Sequence, residues 1–171
     1  MQLGMVGLGR MGSGMTKRLE ADGHEVKTFD PKVESTAKTL RALAKQLDAP
    51  RHVWVMVPSG EITEDTVQKL LGILEPGDTI VDGGNSNFRD SQRRHKEARK
   101  AKISFVDAGV SGGIWGLEVG FCLMVGGDKA SVKRLRPHRT LWRRPLHEDD
   151  PQRDRVRPDA GLRRRLRLDA R

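Results

Sequence analysis

The chain has no tyrosine and a single cysteine, Cys122, among its 171 residues. One cysteine excludes an internal disulfide framework and fits a reducing compartment. Cys122 sits in the apolar run Phe121–Val125, so a buried, inert thiol is expected there and not a nucleophile. No apolar stretch approaches the roughly 20 residues that span a bilayer. The N-terminus enters a strand at once, without a basic-then-apolar leader, so a cytoplasmic protein with no membrane partner is expected. Asparagine is absent beyond Asn87, which bears on catalysis below.

Charge is unevenly spread. From Lys133 to Arg171 there are 14 basic and 6 acidic residues, against 18 basic and 17 acidic before Lys133. The sequence pI of 10.2 is therefore a property of the tail. The tail's basic residues are 13 Arg and one Lys, whereas the preceding part mixes 8 Arg with 10 Lys.

Before the tail, short apolar strands alternate with helices. Gln2–Val6 reads as a strand, followed by Gly7-Leu8-Gly9-Arg10-Met11-Gly12 and a helix to about Asp22. That helix places Met11, Met15 and Leu19 on one face at spacing four, and Gly23 ends it. Val26–Phe29, His52–Val57, Thr79–Val81, Ile103–Val106 and Gly120–Val125 read as further strands. Ala37–Leu47, Thr66–Leu74 and Ser91–Ala101 read as helices between them. This alternation predicts an α/β fold, a doubly wound Rossmann-type parallel sheet with helices on both faces. It covers residues 1–135, with a disordered Arg-rich tail over 136–171.

Three loops carry chemistry. In Gly7-x-Gly9-x-x-Gly12 the first glycine permits a tight turn and the second lets a pyrophosphate approach the backbone. The third lets helix and strand pack closely, and the helix N-terminus offers free N–H groups to phosphate. Asp30 ends the second strand, 18 residues beyond Gly12, where a carboxylate can accept both ribose hydroxyls. It also repels a 2′-phosphate, which favours NAD over NADP; Lys32 is close enough to weaken that preference. Asp82-Gly83-Gly84-Asn85-Ser86-Asn87 follows the fourth strand and is either a ligand loop or an ordinary Gly/Asn turn. Ser111-Gly112-Gly113 follows the fifth and is either an anion-binding nest or a turn.

Gly7–Gly12, DGGNSNFRDS (Asp82–Ser91) and VDAGVSGGIWGLEVGFCLMVGGD (Val106–Asp128) together resemble the successive signatures of 6-phosphogluconate dehydrogenases. The portion Ile114–Glu118 looks like the shorter, often NAD-preferring bacterial branch. The resemblance covers about Met1 to Arg136. It implies that Gly7, Leu8, Gly9, Arg10, Met11, Gly12 and Asp30 hold the adenosine half of the cofactor, NAD or NADP. It places Val57, Pro58 and Ser59 beside that cofactor. It has Asn85 bridge nicotinamide and substrate, and Ser111, Gly112 and Gly113 hold the sugar acid, 6-phosphogluconate. The family oxidises C3 of that substrate by hydride transfer, then releases CO2 to give ribulose 5-phosphate.

That chemistry needs a general base and a general acid, which the family carries as Lys and Glu on a helix K-x-x-x-N-x-x-E. Without an Asn after Asn87 this motif cannot exist in the written frame, so no catalytic residue is assigned. A shifted frame permits it. Joining bases two and three of each codon to base one of the next makes Trp142 yield Gly, and Glu148 before Asp149 yield Lys or Arg. Gln152 then allows Asn, and Arg155 before Val156 allows Glu. The tail is therefore expected to be out-of-frame sequence replacing a helical catalytic domain. The family dimerises through that domain, so a homodimer is not expected of this chain. The Arg-rich tail attracts phosphates without sequence preference, but it has no aromatic stacking partner beyond Trp142. No specific nucleic-acid partner is expected. The alternatives are an NAD(P)-binding module without catalysis, or a β-hydroxyacid dehydrogenase relative.

Sequencing the gene across the codons for Lys133 to His147 tests the frame change. DNA beyond the junction is expected to encode K-x-x-x-N-x-x-E in the shifted frame; any other sequence there refutes it.

Overall fold

The structure is a computed structural model that describes residues 2–135, so the expectation for 136–171 lies outside the described residues. Six strands form one sheet: β1 (Gln2–Val6), β2 (Glu25–Phe29), β3 (His52–Val55), β4 (Thr79–Asp82), β5 (Ser104–Ser111) and β6 (Cys122–Gly127). Between them run α1 (Arg10–Ala21), α2 (Leu40–Lys45), α3 (Glu61–Leu71) and α4 (Phe88–Lys100). A 3-10 turn (Gly113–Trp115), α5 (Gly116–Val119) and α6 (Lys129–Arg134) complete the described chain.

The strand order is β2-β1-β3-β4-β5-β6. β1 to β5 pair in parallel, so the expected doubly wound Rossmann-type α/β sheet is present. Winding runs from β1 out to β2, then crosses back to β3 on the other side of β1. The direction reverses between β1 and β3, and ligands of open α/β sheets bind at the carboxyl ends flanking such a reversal.

One apolar cluster packs α2, α3 and α4 on one face through Leu43, Val67, Leu70 and Ala98 against Val53, Val55 and Ile80. The other packs α1 through Met15 and Leu19 against Leu3, Met5, Trp54 and Val106, with Phe121, Leu123 and Leu135 closing it.

The structure corrects several expectations. β6 runs antiparallel to β5, because residues 112–121 between them are too few for the crossover of a dozen or more that a parallel return needs. Cys122 is exposed, not buried. Along β6 side chains alternate between faces, so Phe121 and Leu123 enter the core while Cys122 and Met124 point outward. The second helix is shorter than expected because residues 36–37 fold along β2. Thr36 Oγ1 accepts from Thr28 N at 2.7 Å and Ala37 N donates to Thr28 O at 3.0 Å. Thr39 then caps α2 by accepting from Ala42 N at 3.0 Å. α3 starts at Glu61, earlier than expected, because Glu61 and Glu64 suit a helix N-terminus while the one apolar residue of the first turn, Ile62, is exposed. β5 continues to Ser111, so Ser111 is the last residue of a strand.

Leu70 is fully buried in the first cluster, whereas Met124 is 59% exposed on β6. Leu70→Ala should cost about 2–5 kcal/mol, and Met124→Ala less than about 0.5 kcal/mol. Urea unfolding of both variants is the check, and a large Met124 effect would contradict an outward-facing side chain.

Candidate functional site

The glycine loop leaves β1 at Gly7, whose φ of +93° is the left-handed conformation that glycine adopts freely. Gly12, in the first turn of α1, packs so closely on Gly7 that any Cβ would run into the Gly7 carbonyl oxygen. Gly9 behaves differently: a Cβ there would meet nothing within 4 Å. α1 begins directly after it, with no side-chain cap and no acid in its first turn. Leading N–H groups of a 12-residue helix are thus left free at an open surface. The partly buried side chains of Leu8 and Met11 pack against the second apolar cluster, while Arg10 is exposed.

Asp30 stands at the end of β2 beside this loop. Its Oδ2 accepts from Leu8 N and its Oδ1 from Lys32 N, both at 2.7 Å. Burial pushes its carboxyl up, but the N–H donors of Leu8, Lys32 and Val33 and the Lys32 charge outweigh that and hold it below the usual range. The carboxylate fastens the glycine loop to β2 and stays ionised.

The remaining loops follow along the same edge. A Cβ on Gly7 would stand 2.5 Å from Met56 O and 3.0 Å from Val57 Cγ1, so the β1 and β3 loops are in contact. Pro58 and Ser59 are exposed beyond them, and Pro58 O accepts from Thr63 Oγ1 at 2.8 Å. Gly84 backs onto Val57 O, 2.8 Å from where its Cβ would be. Asn85 then pairs with β5: its Oδ1 accepts from Val110 N at 3.0 Å and its Nδ2 donates to Val110 O at 3.2 Å. Ser111 is the next residue, and Gly112 and Gly113 follow with φ of +149° and +49°. The ring of Phe121 occupies the space a side chain on Gly116 would need, and reaches Gly14 of α1. Phe121 thereby seats the 112–116 turn against α1. Every site residue expected from the sequence lies on this one edge.

The structure adds Arg94, which motif reading passed over, and joins it to Asp82 of the fourth-strand loop. Asp82 and Arg94 are buried, at 0% and 1% exposure. Arg94 Nη1 donates to Asp82 Oδ2 and to Ser86 Oγ, each at 2.9 Å, and its Nε donates to Glu64 Oε2 at 2.8 Å. Asp82 Oδ1 also accepts from Gly84 N at 3.0 Å. Asp107, opposite Asp82 across the β4–β5 pairing, is pushed up by burial and by the Asp82 charge, with Ser91 and Arg94 opposing. The only sequence signal for this network was an Arg on the same helical face as buried Ser91 and Ala98, at spacings of three and four. A concavity of about 580 Å³ opens elsewhere, between α4, β5 and β6, lined by Phe88, His95, Phe105, Asp107 and Asp128 among others. It includes none of the expected site residues. Among the described residues there is no cluster fit to hold a metal ion, and no helix long and apolar enough to cross a membrane.

A glycine loop, an uncapped helix and a carboxylate bound to that loop, at the reversal of a parallel sheet, define a dinucleotide-binding α/β domain. Residues 2–139 match the model of the NAD binding domain of 6-phosphogluconate dehydrogenase, and the chain belongs to that family. An NAD(+)-dependent, decarboxylating 6-phosphogluconate dehydrogenase of Haloferax volcanii is 40% identical over 147 residues, 80% of this chain and 48% of that protein. A decarboxylating 6-phosphogluconate dehydrogenase of Staphylococcus aureus is 32% identical over 78% of this chain and 32% of its own length. The chain thus spans half or less of the curated relatives it matches. Among solved structures, 6-phosphogluconate dehydrogenase of Plasmodium falciparum shares the fold with a TM-score of 0.77, at 24% identity over 84% of this chain and 34% of that one. A 3-hydroxyisobutyrate dehydrogenase of Mycobacterium tuberculosis has a TM-score of 0.67 and 27% identity, over 82% of this chain and 52% of that one.

Arg93 lowers the Glu64 carboxyl most, and Gln68 and Arg94 add to it against the upward push of burial, so it falls from 4.5 to about 2. An acid with a depressed folded value stabilises the fold fully above its unfolded pKa and loses that stabilisation as pH falls through the folded value. Glu64 should therefore contribute fully above pH 4.5 and lose its contribution toward pH 2. Comparing acid unfolding of wild type and Glu64→Gln by circular dichroism should show the variant less stable at neutral pH, with the two converging in that window. A constant gap down to pH 2 would rule the linkage out.

Proposed function

We propose that this chain binds a nicotinamide adenine dinucleotide along the carboxyl edge of β1 to β4, as the cofactor-holding part of a decarboxylating 6-phosphogluconate dehydrogenase. The observation that carries this is the open space above Gly9 at the uncapped start of α1, with ionised Asp30 beside it. The residues present fit the cofactor. Gly7, Leu8, Gly9, Arg10, Met11 and Gly12 offer backbone to the pyrophosphate. Asp30 accepts from the N–H groups of Leu8, Lys32 and Val33 and keeps its remaining lone-pair capacity for the ribose. That carboxylate opposes a 2′-phosphate, so NAD is the preferred cofactor, with Lys32 reducing the margin.

Val57, Pro58 and Ser59 flank the dinucleotide beyond the pyrophosphate. Asn85 lies where nicotinamide and substrate meet, and Ser111, Gly112 and Gly113 hold one end of 6-phosphogluconate. The bound cofactor supplies the hydride acceptor for oxidation at C3 of that substrate. Asn85 keeps one further N–H and one further lone pair after pairing with Val110, enough to orient a polar ligand without releasing the loop. The written sequence has no K-x-x-x-N-x-x-E, the helix on which the family carries its base and acid. Cofactor binding without turnover is the expected behaviour.

Calorimetric titration with NAD+ and NADP+ is the test. NAD+ should bind more tightly than NADP+, and Gly9→Ala should weaken NAD+ about tenfold, a loss of roughly 1.4 kcal/mol, with an unchanged Tm. Its added methyl would stand in the pyrophosphate's space and touch no protein atom. The proposal is lost if neither dinucleotide binds the wild-type chain, or if Gly9→Ala binds NAD+ as well as wild type does.

A further inference from the structure

We infer that Arg94 is a positioning residue for the nicotinamide half of this site, acting through the Asp82–Asn87 loop; the inference rests on the dinucleotide reading above. Arg94 lies on α4 with 1% of its side chain exposed, yet its guanidinium is not spent on its own helix. Nη1 reaches Asp82 at the end of β4 and Ser86 in the loop, and Nε reaches Glu64 on α3. The second oxygen of Asp82 takes the Gly84 N–H. Residues 82, 84 and 86 are thus tied into one network, and Asn85 is held between the last two. At the far end of the loop, Asn87 caps α4 by accepting from Arg89 N at 3.0 Å.

Asn85 itself has a φ of +56°, a left-handed conformation that side chains other than glycine seldom adopt and Asn tolerates best. Its flanks being fixed, that conformation persists, and the Asn85 amide meets the Val110 backbone with both of its polar atoms. Lysine cannot replace the planar fork, because a single ammonium on a flexible stem does not present fixed donors to three acceptors at once. Packing alone does not call for a guanidinium here either, since apolar residues often replace buried ion pairs without loss of stability. The groups that Arg94 grips are the loop that carries Asn85 and the helix behind it.

The test compares two ligands on the intact chain: NAD+, and ADP-ribose, which has the adenosine, pyrophosphate and ribose but no nicotinamide. Arg94→Lys should weaken NAD+ about tenfold and leave ADP-ribose affinity as in wild type. Ser86→Ala removes one arm while keeping the buried Asp82–Arg94 pair, so it supplies a folded variant whatever Arg94→Lys does. It should weaken NAD+ about threefold with ADP-ribose again unaffected. A merely structural role would move both ligands together, so a parallel loss overturns the inference, as does a Ser86→Ala chain with wild-type NAD+ affinity. Wild-type chain that binds ADP-ribose but gains nothing from the nicotinamide half overturns it as well. Failure of the wild type to bind either ligand would instead bring down the dinucleotide reading, and this inference with it.

Discussion

Parallel pairing of β1 to β5 is the constraint from which the site follows. Strands that run the same way deliver all their carboxyl ends to one edge, so the loops after β1, β2, β3, β4 and β5 must be neighbours there. The reversal of winding between β1 and β3 then keeps helices from closing over the gap between those two strands. Gly7, Val57, Gly84, Asn85 and Val110 touch in sequence along that edge. Residues more than a hundred positions apart in the chain thereby form one continuous lining.

Two carboxylates on this edge are held by different means. Asp30 is held by backbone N–H groups from the glycine loop and its own turn, which leaves its outer face available to a ligand. Asp82 is fully buried and held by Arg94, which removes it from ligand contact and turns it into a support. Desolvating an ion pair costs about as much as the pairing returns unless further hydrogen bonds complete it. Ser86, Gly84 and Glu64 complete this one. Each of these partners ties the network to a different segment, so its worth lies in fixing a loop more than in net stability.

The antiparallel β6 ends the sheet on different terms. It is an edge strand, and one of its faces carries exposed Cys122 and Met124 while the other feeds Leu123 into the core. The connection preceding it is short, and Phe121 anchors that connection to α1 by filling the space left at Gly116 and Gly14. The position of Ser111, Gly112 and Gly113 therefore depends on an aromatic residue eight positions beyond the triplet.

Most of the fold was legible in the sequence because its signals are short-range. The strand, the glycine loop and the helix over residues 2–21 lie within one another's reach, and Gly7 and Gly12 are demanded by backbone geometry that no other residue satisfies. Helix starts were less legible where the first turn put no apolar residue on the buried face, as at Glu61, since periodicity needs such residues to register. Strand direction was not legible at β6, because alternation looks the same whichever way a strand runs. By itself, then, the sequence determined the parallel α/β class, the order of its elements and the loops that meet at one edge of the sheet. The tertiary structure alone decided that Cys122 faces outward, that Asn85 pairs with Val110, and that Arg94 joins Asp82, Ser86 and Glu64. Those contacts are between groups 8 to 30 residues apart, and a charged side chain's partner at that separation is set by how the layers pack, which no local pattern encodes.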